Sequence, residues 1–180
     1  MLAAFAKLVQ SAGAGPVADL GCGPGRITAH LRSLGLTVFG IGLSPAMVAL
    51  ARRTYPDLRF NEGSMAALDL EDASVGGMVA WYSITHTPPE LLPVVFAEFH
   101  RVLAPDGHLL LAFQVGNERR HIEHGYGHNL SLDAYRLLPD HIAELSSEAG
   151  LVVHARLLRE PETREKVQHA CLLARKPGMS

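Results

Sequence analysis

A short apolar run, Pro16 to Leu20, leads into the sequence Asp19-Leu20-Gly21-Cys22-Gly23-Pro24-Gly25, and Arg26 to Leu34 then reads as a helix. Three glycines at alternate positions between a strand and a helix let the backbone approach a ligand, because glycine has no Cβ and takes positive φ without strain. In a doubly wound sheet this turn sits at the carboxyl ends of the strands, where such sheets bind their ligands. The loop therefore predicts both an architecture and the place of a site.

The remaining chain agrees with that architecture. Residues 2–10 carry Leu2, Phe5, Leu8 and Val9 at helical spacing, and Ser11 to Gly15 is a small-residue break. Thr37 to Ile41 is β-branched and strand-like, and Ser44-Pro45 places an N-cap and a first-turn proline ahead of a helix that runs to about Tyr55. Leu58 to Phe60 fits a short strand, and Val75 to Ser83 a buried central one. Thr87-Pro88-Pro89-Glu90 has capping-box spacing before the stripe Leu91, Leu92, Val95, Phe96, Phe99, Val102 and Leu103, which predicts a helix from Thr87 onward. Gly107 to Val115 reads as an apolar strand, 116–130 as an irregular loop, and Asp140 to Ala149 as a helix stopped by Gly150. Leu151 to Leu158 and His169 to Arg175 supply two closing strands. Strands alternating with helices predict an α/β, Rossmann-like, mostly parallel seven-stranded sheet with an antiparallel C-terminal hairpin strand. No linker or repeat interrupts the pattern, so residues 1–180 are expected to form a single domain.

The loop also limits the ligand. A dinucleotide fingerprint, G-x-G-x-x-G, would need glycine where this chain has Arg26. No Gly-Lys-Ser or Gly-Lys-Thr follows to hold a triphosphate and magnesium. Asp19, just before the glycines, suits a cationic amino group better than a pyrophosphate.

These residues resemble the first motif of the class I methyltransferases that use S-adenosylmethionine (SAM), which reads acidic-x-Gly-x-Gly-x-Gly. The resemblance continues through Gly40 to Met47, Gly63-Ser64-Met65, Ala80 to His86 and Arg101 to Gly107, and covers roughly residues 14–176. It implies methyl transfer from SAM to an oxygen, nitrogen or carbon of a small molecule, with S-adenosylhomocysteine as product. Asp19, Gly21, Cys22, Gly23, Gly25 and Arg26 would hold its methionine part, and Gly42, Leu43 and Met47 would flank the ribose. Gly63, Ser64 and Met65 would border adenine, while Trp81, Tyr82 and Ser83 would face the methyl group.

The chain departs from the family at three places. Gly42 stands where relatives carry the Asp or Glu that accepts hydrogen bonds from the ribose, with Ser44 the nearest polar substitute. Gly76 stands where Asp commonly opens the fourth strand. About fifteen residues precede the first strand, so an N-terminal lid is expected to be short or absent, or supplied by a partner subunit.

Methyl transfer is a direct displacement, so alignment and exclusion of water supply much of the catalysis, and a base is needed only where the acceptor must lose a proton. His86, beyond the fourth strand, is the candidate base or acceptor-orienting group. Alternation is expected to turn only one of Trp81 and Tyr82 toward the pocket, with Trp81 in the core. His124, Tyr126 and His128 are expected to face the acceptor from the loop after the fifth strand, a usual place for specificity. The histidines there do not match a structural zinc pattern, and Cys22 and Cys171 suggest neither disulfide nor metal.

A net charge of −2 leaves no basic footprint for nucleic acid, and apolar stretches end well before the roughly 20 residues of a membrane span. A cytoplasmic location and a small-molecule partner are expected, with pairing into a homodimer left open. Two alternatives remain: a SAM-binding interaction module without turnover, favoured by Gly42, and a nicotinamide-dependent oxidoreductase, disfavoured by Arg26.

Overall fold

The computed structural model describes residues 1–13, 15–125, 128–163 and 165–178, with side chains for all of these except 124, 125 and 128–130. The N-terminal amphipathic stretch forms α1 (Leu2–Ala12), which buries Phe5, Ala6 and Val9. Then come β1 (Val17–Leu20), α2 (Arg26–Ser33), β2 (Val38–Gly42), α3 (Pro45–Thr54), β3 (Arg59–Glu62) and β4 (Val75–Trp81). The second half is α4 (Leu92–Val102), β5 (Leu103–Gln114), β6 (Arg119–Gly125), β7 (His128–Tyr135), α5 (Pro139–Glu148), β8 (Val152–Arg159) and β9 (His169–Arg175).

Seven strands form one sheet in the order β3-β2-β1-β4-β5-β9-β8. The first five run parallel, and β9 enters antiparallel between β5 and β8. This is the expected mostly parallel sheet with its reversed strand near the C-terminus. Apolar helix stripes cover both faces. On one, Phe5 and Val9 of α1 and Leu31 of α2 pack on Val17, Val79 and Leu110. On the other, Phe96 and Phe99 of α4 and Ile142 of α5 pack on Leu20, Met78, Leu109 and Leu111. A Cβ on Gly77 would come within 2.8 Å of Val9 and 2.9 Å of Phe5, so glycine there lets α1 lie close to the sheet. Gly76, the other glycine at that place, donates its amide to the Pro16 carbonyl at 2.8 Å, which ties the start of β4 to the chain entering β1.

After β3 the chain crosses to the opposite side of β1, so sheet order reverses between β1 and β4 and a crevice opens above their carboxyl ends. Serine 44 caps α3 through a hydrogen bond from the Met47 amide, as its sequence position implied. Three expectations need correction.

The segment 116–130 is not an irregular loop: β6 and β7 form an antiparallel hairpin with a bulge between Ile122 and His124. Cross-strand pairs stabilise it, with Asp133 facing Arg119 at 2.6 Å and His121 at 2.9 Å.

The helix expected from Thr87 begins only at Leu92. Ile84–His86 and Pro89–Leu91 are separate 3₁₀ turns, and Thr87 makes no side-chain cap. Pro88 and Pro89 disfavour α conformation in the residues before them, which delays the helix.

Strand β5 starts at Leu103 rather than Gly107. Pairing of Leu103 with Val75 ahead of the main register extends it backward. Among the described residues, no helix is long and apolar enough to cross a membrane.

Candidate functional site

The glycine loop forms the floor of a cavity of about 620 Å³ at the carboxyl ends of β1, β2 and β4. Gly21 and Cys22 donate their amides to the Ile41 carbonyl at 2.7 and 3.0 Å, which binds the loop to β2. Gly21, Gly23 and Gly25 all have positive φ, at 69°, 51° and 84°. At Gly21 a Cβ would fall 2.2 Å from Ser83 Cβ, because the Ser83 hydroxyl donates to the Leu20 carbonyl at 2.5 Å and draws the end of β4 against β1.

Of the residues expected at the site, the cavity brings together Gly21, Gly23, Gly42, Leu43, Met47, Gly63, Ser64 and Met65. Trp81, Tyr82, Ser83 and His86 complete its far wall. Asp19, Cys22 and Arg26 instead line an adjoining cavity of about 410 Å³ that shares Gly21, Gly23, Pro24 and Trp81 with the first. Gly25 lines neither; it is the left-handed residue that opens α2, against the Phe60 ring. Tyr126 lies outside the described residues, as do the side chains of His124 and His128.

Asp19 is 2% exposed, and its carboxylate accepts a hydrogen bond from the Thr28 hydroxyl at 2.5 Å. Burial pushes its carboxyl up to about 6, with the Thr28 hydrogen bonds offsetting part of that rise. Burial likewise pushes the Cys22 thiol up to about 12, with the Asp19 charge adding to the effect. Cys22 is therefore a packing thiol, and its sulfur lies beside the space that a Gly42 side chain would enter.

Trp81 and Tyr82 both line the cavity, against the expectation of one. Alternation ends at Trp81, because Tyr82 takes φ 59° and turns its side chain out of the pleat. Their rings pack edge to face at 5.7 Å. The Tyr82 hydroxyl is fixed by His169 Nδ1 at 2.6 Å, and His169 Nε2 faces Glu165, held by Arg159, at 3.4 Å. Burial pushes the Tyr82 phenol up. Sequence gave no sign of this cluster, since its members lie 87 positions apart.

His86 stands at the rim, exposed, with Nδ1 3.0 Å from the Asp133 carbonyl of β7. A carbonyl only accepts, so Nδ1 carries the hydrogen and the neutral ring presents Nε2 as an acceptor. Pro88, Leu91, Val95 and Leu132 also line the cavity, and sequence reasoning missed all four. Alternating Leu130, Leu132 and Ala134 is the signal for β7, whereas Leu91 and Val95 read in sequence as part of the apolar stripe of a helix.

The family model described as a methyltransferase domain matches residues 17–107, the segment that builds the glycine loop, β2, β3 and β4. The chain belongs to the methyltransferase domain family. Demethylmenaquinone methyltransferase of Chlorobaculum parvum is 35% identical over 92 residues, covering 51% of this chain and 37% of that protein. The match thus spans well under half the length of that relative. Its fold is that of the SAM-dependent class I enzymes. A SAM-dependent methyltransferase from Methanosarcina mazei superposes with TM-score 0.81 at 19% identity, over 91% of this chain and 93% of that one. The Burkholderia thailandensis 1,6-didemethyltoxoflavin-N1-methyltransferase, solved with bound 1,6-didemethyltoxoflavin and S-adenosylhomocysteine, superposes with TM-score 0.73 at 22% identity, over 98% and 78%.

The cavity suits SAM at two of three points. The glycine cradle admits close approach by a ligand chain, with the Asp19 carboxyl behind it. Met65, beside Gly63 and Ser64, offers apolar surface for a flat base. At the third point, the end of β2, Gly42 supplies no ribose-binding carboxylate.

Proposed function

We propose that this protein, acting as one domain, transfers a methyl group from SAM to an oxygen, nitrogen or carbon of a small molecule by direct displacement. The observation that carries this is a single cavity running from the glycine loop to His86. When bound, SAM supplies the electrophilic methyl. The backbone at Gly21 and Gly23 and the buried Asp19 carboxylate would hold its amino-acid end, while Met47 would flank its ribose and Met65 its base. Trp81 and Tyr82 keep water from the transfer path. His86 Nε2 receives a hydrogen bond or proton from the acceptor. His124, Tyr126 and His128 are proposed to contact that acceptor. A cytoplasmic location goes with this function.

Calorimetric titration with SAM, S-adenosylhomocysteine and NAD tests the cofactor before any acceptor is known. Binding of the SAM pair alone is expected; binding of NAD alone, or of none of them, would overturn the proposal. Turnover then separates an enzyme from the second reading, a SAM-binding module without catalysis, which Gly42 favours.

Gly42→Asp restores the missing acceptor. Its Cβ would meet Val48 at 3.1 Å and Cys22 sulfur at 3.3 Å, so the neighbours must yield only slightly, and the backbone there has no positive φ. SAM is expected to bind roughly tenfold more tightly, the value of one charge-assisted hydrogen bond pair. An unchanged dissociation constant would show that the ribose does not lie at the end of β2.

A further inference from the structure

The acceptor end of the cavity has a defined chemistry. Around His86 its walls are Trp81, Tyr82, Pro88, Leu91, Val95 and Leu132. Leu91, 43% exposed, and Leu132, 39% exposed, form apolar jaws at the mouth, one from the turn before α4 and one from β7. Among the described lining residues none carries a formal charge. Of the two arginines that open the hairpin, Arg119 is already engaged by Asp133 at 2.6 Å, and Arg120 does not line the cavity. A carboxylate entering between these walls would lose its hydration without gaining a cation, a large penalty in an apolar site. A flat ring would instead exchange water for the Trp81 and Tyr82 rings and the two leucines.

Among the described lining residues, the basic nitrogen at this end is His86 Nε2, since the Asp133 carbonyl holds the hydrogen on Nδ1. Such an atom selects a ligand with an O–H or N–H to donate. Between hydroxyl types, a phenol, with an ordinary pKa of about 10, can yield its proton to an imidazole, whereas an alkanol is too weak an acid.

Building on the methyl-transfer function above, we infer that the compartment beside His86 takes an uncharged hydroxyaryl acceptor, with its ring between Leu91 and Leu132 and its hydroxyl on His86 Nε2. In the reaction the aryl oxygen forms its bond to the methyl carbon as the carbon–sulfur bond breaks, with that electron pair staying on sulfur. The O–H proton passes to Nε2, so charge and atoms balance without another reactant.

Three naphthalenes of one shape test this by calorimetry, on protein loaded with S-adenosylhomocysteine and on the unloaded protein. They are 2-naphthol, 2-methoxynaphthalene, which lacks the donor, and 2-naphthoate, which is charged. In the wild type, 2-naphthol is expected to bind at least roughly tenfold tighter than either of the others. His86→Phe keeps a ring at an exposed position and removes the acceptor atom. There the preference for 2-naphthol over 2-methoxynaphthalene is expected to shrink to about twofold or less, while 2-naphthoate stays weak. Tightest binding by 2-naphthoate would overturn the inference, as would a naphthol preference that survives His86→Phe. Failure of S-adenosylhomocysteine to bind would count against the cofactor site alone, because the unloaded series still decides the chemistry of the acceptor end.

Discussion

Replacing Asp19 with Asn is expected to stabilise the protein by about 2–3 kcal/mol at pH 8 while abolishing its binding of SAM. Asp19 is almost fully buried, and its carboxyl is raised from the ordinary 3.8 to about 6 because burial disfavours the charged form more than the Thr28 hydrogen bond favours it. Between these values the folded chain keeps a proton that the unfolded chain has lost. Stability therefore falls as pH rises through about 4 to 6, and the whole cost is present above that window. Asn keeps a carbonyl oxygen to accept from Thr28 but cannot ionise. Urea unfolding at pH 3.5 and pH 8 should show wild type and Asp19→Asn nearly equal at the lower pH and well separated at the higher. Equal stability at both would mean that the carboxylate is not strained. A charge kept ionised in the floor of a site at such cost is the pattern of a group held for a cationic ligand.

The second large effect concerns Gly21→Ala, expected to cost about 3 kcal/mol and to close the cavity floor. The residue has φ 69°, and its new Cβ would lie 2.2 Å from Ser83 Cβ and 2.9 Å from Ser83 Oγ. Ser83 cannot swing away without giving up its bond to the Leu20 carbonyl. Gly23→Ala is the control: φ is 51° and nothing lies within 4 Å of the added carbon, so only the backbone penalty of about 1 kcal/mol applies. Chemical denaturation of both variants, with S-adenosylhomocysteine titrations alongside, separates close approach from conformation. Equal losses at the two positions would show that the loop yields and that the tight contact with Ser83 does not matter.

Much of the architecture was legible in the sequence because local patterns and burial agree along most of the chain. The apolar runs at β1, β4 and β5 are buried from both faces, so they look like strands whatever surrounds them. Ser44-Pro45 opens α3 by its own chemistry. The same holds for the glycine loop, where composition and spacing are themselves the functional feature. Residues 116–135 were harder, because a two-stranded hairpin outside the main sheet takes its pairing from a partner strand rather than from a buried face. The expectation that only one of Trp81 and Tyr82 lines the cavity failed for a related reason: the positive φ of Tyr82 serves the junction with Ser83 and the reach to His169, neither of which is visible along the chain.

Sequence alone determined the alternation of strands and helices, the position of the ligand loop and the missing carboxylate at Gly42, all of which depend on residue type and spacing. Tertiary structure alone decided which strands meet, that Trp81 and Tyr82 share one wall, and that β7 supplies both the Leu132 jaw and the carbonyl that sets the His86 tautomer. Those features are pairings between residues far apart in the chain, and only folding brings them within hydrogen-bonding or van der Waals range.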